Sequence, residues 1–146
     1  MLFLGMHALR YTSGSSRPRL VPPRCMVREI SYITAPQLRD LLVSAEPPVV
    51  VDVRDEDRAG GHVRGSVSIP SAQWSDSASV DRFVTRLTSS TTVVFHCMFS
   101  QQRGPSCAQL FAARLPATSP TRVLVLHGGW RAWRREYGDD PVLTDE

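Results

Sequence analysis

The chain has 146 residues, a length that suits one domain with a single hydrophobic core, and it has no apolar run near the roughly 20 residues of a membrane span. All 17 basic residues are arginine, which excludes mechanisms that need a lysine Schiff base or a lysine general base. The formal charge of +3 is due to residues 1–28, which hold five arginines and no acid. The rest of the chain holds 12 arginines and 14 acids. No nucleic-acid-binding face is therefore expected.

Residues 1–28 form a basic segment with serine and proline and without a helical or strand period. Such a composition predicts a disordered N-terminal extension. It also resembles an organelle transit peptide, and translation starting at Met26 is a third possibility. We expect a protein of the cytoplasm and nucleus, or of the mitochondrion if residues 1–28 are a transit peptide.

Residues 29–146 are predicted to be the folded domain. Residues 30–33 read as a short strand, and Thr34 can cap a helix with an apolar stripe at Leu38, Leu41 and Leu42. The continuous apolar run 49–53 is typical of a strand buried on both faces. Charged and turn-rich residues follow at 54–65, and a short strand is expected at 66–69.

The second half continues the alternation of strand and helix. We predict an amphipathic helix over 79–87, a strand over 92–96, a helix over 105–115 and a strand over 123–126. In the helix predicted over 105–115, Leu110, Phe111 and Leu115 are expected to face the core. A last helix after Gly128-Gly129 should bury Trp130, Trp133 and Tyr137.

Strands with continuous apolar runs, separated by helices, predict an α/β domain with a mostly parallel sheet and helices on both faces. Active sites in such sheets lie beyond the carboxyl ends of the strands. Cys97 occupies this position, directly after the predicted strand 92–96.

The cysteines and histidines argue against a disulfide framework and against a metal site. The three cysteines contain no CxxC pair, and the four histidines lack ligand spacing. No bound metal is therefore predicted, and a reducing compartment would keep Cys97 free.

The most informative stretch begins where the strand ends at His96-Cys97 and is followed by the loop Met98, Phe99, Ser100, Gln101, Gln102 and Arg103, then by Gly-Pro. A tight loop entering a helix turns backbone N–H groups inward, and the helix N-terminus adds partial positive charge. Arg103 can offer its planar fork to two oxygens of a tetrahedral anion, and the same field favours the thiolate of Cys97.

This pattern predicts an oxyanion site with Cys97 as nucleophile and Arg103 as clamp. The alternative is that Cys97 is a small buried hydrophobic residue, which is common for a lone cysteine. Two further residues are expected to support the site. His96 would orient the backbone and tune the thiolate, and Asp52, at the end of a buried strand, would accept hydrogen bonds from the loop or from arginine.

Three motifs in order resemble the rhodanese fold over about residues 29–140. The first runs from Val51-Asp52-Val53-Arg54 to Ile69-Pro70, and the last is Leu126-His127-Gly128-Gly129-Trp130. Between them, His-Cys-x5-Arg-Gly-Pro resembles the M-phase-inducer type of dual-specificity phosphatase, particularly its small stand-alone fungal members. Similar loops occur in the eukaryotic arsenate reductases of this fold.

The resemblance implies a cysteine-dependent phosphatase that needs no cofactor and passes through a thiophosphate on Cys97. Its substrate would be a phosphorylated protein or a small phosphomonoester. An arsenate reductase is the first alternative, and it would need glutathione and a glutaredoxin-like partner. A sulfurtransferase is the second, although that class has a loop one residue shorter. A non-catalytic binding module is the third.

This chain departs from the cell-cycle phosphatases at several positions. Met98 and Gln102 stand where those enzymes carry glutamate, so the loop offers no acid to protonate a leaving group. Asp52 and Asp55 are then the first acids to consider. Val53 occupies the position of their second cysteine. Cys107 is expected to be a core residue rather than a resolving thiol, and His62 and Arg64 are expected to be structural.

Overall fold

The central feature is a five-stranded parallel sheet, seen in a computed structural model that describes residues 28–146. Its strands are β1 (Ser31–Ile33), β2 (Val49–Asp52), β4 (Val67–Ser68), β5 (Thr92–His96) and β6 (Arg122–Leu126). They lie in the order β1-β6-β5-β2-β4, and every neighbouring pair is parallel. The predicted parallel sheet is confirmed.

Four helices cover the sheet on both faces, as the alternation of elements predicted. They are α1 (Ala35–Leu42), α2 (Ser77–Leu87), α3 (Arg103–Arg114) and α4 (Gly129–Tyr137). One cluster of buried side chains packs α2 and α3 against the sheet, and a second packs α1 and α4 against the other face. Short 3-10 helices at Glu56–Arg58 and Ser71–Trp74 lie in the loops that follow β2 and β4.

Helix ends follow local sequence signals. Thr34 caps α1 in a capping box, because its hydroxyl accepts from the N–H of Gln37 while the Gln37 side chain accepts from the N–H of Thr34. Asp76 caps α2 through the N–H of Ser79, so this helix begins two residues before the predicted start. Trp130 and Trp133 of α4 are buried as predicted.

Two expectations about α3 were wrong. The helix begins at Arg103 rather than near residue 105, since Gly104 and Pro105 both fit within its first turn. Leu110 is 45% exposed, whereas its neighbour Phe111 is fully buried and Leu115 is 8% exposed. Adjacent positions of a helix point about 100° apart, so Leu110 and Phe111 do not share the buried face.

The C-terminal residues add a pairing that the sequence did not predict. Strand β7 (Thr144–Asp145) runs antiparallel to β3 (His62–Val63) in a separate two-stranded sheet. Arg64 donates to the carbonyl oxygen of Pro141 at 2.7 Å, which fits its expected structural role. Together these contacts tie the loop after β2 to the end of the chain.

The predicted extension, residues 1–28, lies outside the described residues except for Arg28. The guanidinium of Arg28 donates to the carbonyl oxygens of Pro116, Ser119 and Thr121 at 2.8–2.9 Å. Within residues 28–146, no helix combines the length and apolar character needed to span a membrane.

Candidate active site

Cys97 lies at the carboxyl edge of the sheet, directly after β5. All five residues of β5 are buried, because this strand lies between β2 and β6 and both of its faces are covered. Cys97 itself is only 3% exposed. The sheet therefore fixes the start of the loop 98–103 rigidly, while Phe99, Gln101 and Gln102 are exposed on its outer side.

The N-terminus of α3 approaches the sulfur of Cys97. The N–H of Gly104 donates to Cys97 Sγ at 3.3 Å. A Cβ at Gly104 would lie 3.3 Å from Cys97 N and 3.4 Å from the carbonyl carbon of His96, which leaves little room for any side chain there. A donor from a helix N-terminus at this distance stabilises negative charge on the sulfur.

The backbone of Ser100 bends the loop sharply. Its φ of 53° lies in the left-handed region, which costs a non-glycine residue about 1 kcal/mol. Ser100 is buried, and its hydroxyl lies 3.4 Å from the N–H of Cys97 and accepts from it. The loop thus stores strain at its middle residue, a feature that clusters at functional sites.

Helix α4 holds the outward carbonyl groups of the loop. The N–H of Trp130 donates to Cys97 O at 2.9 Å, and the N–H of Arg131 donates to Met98 O at 3.0 Å. Because these two carbonyl oxygens are occupied by α4, they are not directed at an anion seated within the loop. The Gly128-Gly129-Trp130 motif therefore supports the cysteine loop.

Asp52 and Arg54 form a buried ion pair behind the loop. Both side chains are completely buried, and Arg54 donates to Asp52 through Nε at 3.0 Å and Nη2 at 2.7 Å. Arg54 also donates to the carbonyl oxygen of Gly61 at 2.8 Å and lies over the ring of Trp130. Arg54 was expected only as part of a charged loop and of the first rhodanese-like motif, and its buried ion pair was not predicted.

Burial by itself raises the pKa of Asp52, but the hydrogen bonds from the side chain and backbone of Arg54, together with its charge, outweigh it and hold the pKa below its usual range. Asp52 is therefore a carboxylate that accepts hydrogen bonds. Its oxygens are committed to Arg54, with Arg58 Nε at 3.3 Å. It is poorly suited to donate a proton near neutral pH.

His96 is completely buried, and burial lowers its pKa, so the imidazole is neutral. Its Nδ1 lies 3.1 Å from Cys97 O, and since a carbonyl oxygen only accepts, Nδ1 carries the proton. Nε2 is 3.9 Å from Asp52 Oδ2 and has no hydrogen-bond partner among the described residues. His96 thus contacts the backbone of Cys97, and its supporting role at the site stays a prediction.

Arg103 is held by two acids that the sequence analysis did not assign to it. Its Nη1 and Nη2 donate to the two carboxylate oxygens of Asp57 at 2.9 and 2.6 Å, and Nη1 also donates to Asp55 at 3.2 Å. These contacts join the loop after β2 to the start of α3. The sequence signal for them was that acids follow directly after a buried strand. Asp55 and Asp57 come just after β2, and β2 is the neighbour of β5 in the sheet.

A cleft of about 270 Å³ opens beside Arg103, between the 3-10 helix Ser71–Trp74 and the exposed face of α3 at Ser106 and Leu110. Cys107 borders it but is only 3% exposed, and burial, followed by the nearby Cys97, raises its thiol pKa to about 12. This environment fits the expected core residue. Among residues 28–146, no group of three or more histidine, cysteine or acidic residues could hold a metal ion.

Comparisons with known proteins agree with the fold. Residues 34–136 match the family model described as the rhodanese-like domain, and the chain belongs to this family. It is 33% identical over 136 residues to the dual specificity phosphatase ibp1 of Schizosaccharomyces pombe, a match that covers 80% of this chain and 96% of that protein.

The same similarity extends to an arsenate reductase and to a solved structure. Arsenate reductase 2.1 of Oryza sativa subsp. japonica is 35% identical over 122 residues, covering 80% of this chain and 74% of the relative. The structure of Saccharomyces cerevisiae Ygr203w, a homologue of single-domain rhodanese and of the Cdc25 phosphatase catalytic domain, superposes with a TM-score of 0.72 at 32% identity. It covers 79% of this chain and 86% of that one.

Proposed function

We propose that the protein is a cysteine-dependent phosphatase whose nucleophile is Cys97. The observation that carries the proposal is the short loop from Cys97 to Arg103, which ends at a helix N-terminus and whose Gly104 N–H donates to the cysteine sulfur. We infer that this loop would hold the nucleophile, backbone N–H groups and the guanidinium of Arg103 around one tetrahedral anion.

In the proposed reaction, the Cys97 thiolate attacks the phosphorus atom of a phosphomonoester. The S–P bond forms as the P–O bond to the leaving group breaks, and the leaving oxygen takes a proton from the substrate monoanion or from water. Water then attacks the phosphorus and breaks the S–P bond, which releases inorganic phosphate and restores the thiolate. Backbone N–H groups of residues 98–103 and the guanidinium of Arg103 would stabilise the charge on the equatorial oxygens.

No cofactor enters this reaction. Its substrates would be phosphorylated proteins or small phosphomonoesters, because Gln102 and Arg103 of the loop border a cleft of about 270 Å³ at the surface. Among the described residues, we identify no general acid in the loop, since Met98 and Gln102 cannot supply a proton.

A second candidate is an arsenate reductase, and the similarity to the rice arsenate reductase favours it about as strongly as the yeast relatives favour a phosphatase. Arsenate has the shape and charge of phosphate, so the same loop would accept it. That reaction would consume glutathione and would require a glutaredoxin-like partner to regenerate Cys97.

One experiment separates the candidates. The purified chain is assayed with p-nitrophenyl phosphate, with arsenate plus glutathione and glutaredoxin, and with thiosulfate plus cyanide, each beside the Cys97→Ser variant. We expect cysteine-dependent turnover of the aryl phosphate. Turnover of arsenate or thiosulfate alone would assign the protein to the reductases or the sulfurtransferases, and no turnover of any of the three would indicate a binding module.

A further inference from the structure

The two aspartates that contact the guanidinium of Arg103 bind only its Nη1 and Nη2 groups. Asp57 accepts from Nη1 at 2.9 Å and from Nη2 at 2.6 Å, and Asp55 accepts a second hydrogen bond from Nη1 at 3.2 Å. A guanidinium has five N–H groups in a fixed plane. Three of them are therefore bound to the two aspartates.

The remaining two N–H groups form a fork of their own. Nε and the second N–H of Nη2 point in parallel along one side of the guanidinium plane, and neither has an acceptor among residues 28–146. Arg114 shows how well this side fork fits an oxyanion, because its Nε and Nη2 donate to the two oxygens of Asp81 at 2.7 and 2.6 Å.

The two aspartates are themselves fixed by other groups. Asp55 accepts from the hydroxyl of Ser71 at 2.6 Å and from the N–H of Ala72 at 3.3 Å. Asp57 accepts from the N–H of Asp55 at 3.0 Å, and its own carbonyl lies 3.4 Å from Nη1 of the buried Arg54. The two aspartates that bind Arg103 thus lie in a loop that is itself held by hydrogen bonds.

Both aspartates are carboxylates near neutral pH. The hydrogen bonds from Arg103 lower the pKa of Asp57 to about 2, and those from Ser71 and Ala72 lower the pKa of Asp55. Neither residue is poised to give a proton to a leaving group. Their contacts instead suit the task of holding a cation in place.

We propose that Asp57, assisted by Asp55, is the positioning residue for Arg103: the pair holds the guanidinium by its end and leaves the Nε/Nη2 fork for two oxygens of the substrate oxyanion. The inference rests on the proposed function only in requiring that the loop take a tetrahedral oxyanion, and it holds equally for phosphate and arsenate.

For removal of Asp57, the proposal predicts a change in anion affinity opposite to the one that simple electrostatics predicts. Removing a carboxylate near an anion site reduces like-charge repulsion and by itself would tighten anion binding. If Asp57 positions Arg103, its removal lets the guanidinium rotate among conformations, and the ordering cost must then be met when the anion binds. Binding should therefore weaken although the site becomes less negative.

The test measures binding of inorganic phosphate and of arsenate to the full chain by calorimetry at pH 7.5. Asp57→Asn is expected to weaken binding about tenfold, the scale of one oriented charge-assisted hydrogen bond. Asp81→Asn alters another bidentate aspartate–arginine pair, the one with Arg114 on the surface, and should leave the affinity within about twofold. Equal or tighter binding by Asp57→Asn overturns the proposal.

Two further variants separate positioning from a general loss of structure. In an Arg103→Ala background, Asp57→Asn should not weaken phosphate binding further, because no guanidinium is left to position, and the reduced repulsion should leave the affinity equal or slightly higher. Asp57→Glu keeps two acceptor oxygens and should retain most of the affinity. An equal loss caused by Asp57→Asn with and without Arg103 would overturn the proposal.

The binding measurement also distinguishes this inference from the proposed function. If the wild-type chain binds phosphate and Asp57→Asn binds it more weakly, but no phosphomonoester is turned over, the inference stands and the phosphatase proposal fails. If neither anion binds the wild-type chain at millimolar concentration, both fail.

Discussion

Gly129 lies directly against the carbonyl group of Cys97. A Cβ at this position would be 2.5 Å from Cys97 O and 2.7 Å from Met98 O, and the φ of Gly129 is +58°. Since Trp130 and Arg131 donate to these same two carbonyl oxygens, the first turn of α4 serves as the backing surface of the cysteine loop.

Gly129→Ala should therefore displace the loop and lower kcat/KM for an aryl phosphate by about 100-fold, the cost of a misplacement of roughly 1 Å. The matched control is Gly65→Ala, because Gly65 also has a positive φ of +75° but no atom within 4 Å of a built Cβ. The control should lose about 1 kcal/mol of stability and keep its activity. Equal activity of the two variants would show that the close approach at Gly129 is unimportant.

Cys97→Ser should abolish turnover while preserving the fold and phosphate binding. A hydroxyl has a far higher pKa than a thiol and is a poor nucleophile here, but the N–H groups of the loop are unaffected. Circular dichroism, thermal unfolding and phosphate calorimetry provide the comparison with wild type. Activity above about 3% of wild type would remove Cys97 from the mechanism, since loss of a nucleophile ordinarily costs several orders of magnitude.

Arg103→Lys should be nearly as damaging as Arg103→Ala, with kcat/KM lowered by about 100-fold or more. An ammonium group can neither pair with both oxygens of Asp57 nor present a planar fork to an anion. Arg114→Lys is the control, since Arg114 forms a bidentate pair with Asp81 on the exposed surface. Near-normal activity of Arg103→Lys would mean that positive charge alone suffices.

Arg54→Met should destabilise the protein by about 3–5 kcal/mol, the usual cost of leaving one member of a buried pair unpaired. Asp52 would then be a buried carboxylate without its main donor. The double variant Asp52→Asn/Arg54→Met should recover part of that loss, as measured by urea denaturation. A single-variant loss below about 1 kcal/mol would show that the pair contributes little.

The rate should depend strongly on the leaving group. With Met98 and Gln102 in the loop, and with the pKa values of Asp52, Asp55 and Asp57 all lowered, no nearby carboxylic acid is protonated near neutral pH. Aryl phosphates such as p-nitrophenyl phosphate should therefore exceed alkyl phosphates by orders of magnitude in kcat/KM.

This prediction is tested by plotting rate against leaving-group pKa on both sides of the phosphate's second ionisation, at about pH 6. A steep dependence above that pH that flattens below it would show that the substrate monoanion carries the proton. Equal rates for alkyl and aryl phosphates at both pH values would contradict the prediction and indicate an enzymic acid, for which Asp55→Asn is the first variant to examine.

The sequence alone determined the class of fold and the strand, loop and helix around Cys97. Continuous apolar runs separated by helical periods predicted the parallel sheet, and the structure confirmed it. Such runs are informative because a strand buried on both faces is mostly apolar along its length. The loop from Cys97 to Arg103 could be recognised because its residues are consecutive, so that a strand end, a tight turn and a helix start follow one another in the chain.

Only the tertiary structure decided which groups meet around that loop. Asp57 and Arg103 are 46 residues apart, and they pair because β2 and β5 are neighbours in the sheet and their carboxyl-end loops share one edge. Arg54 looks like a solvated charge in sequence, yet it is buried because Asp52, Gly61 and Trp130 converge on it. Hydrophobic periodicity shows which side chains of a segment are buried. Ion pairs between loops depend on the order of the strands in the sheet, and no local sequence pattern encodes that order.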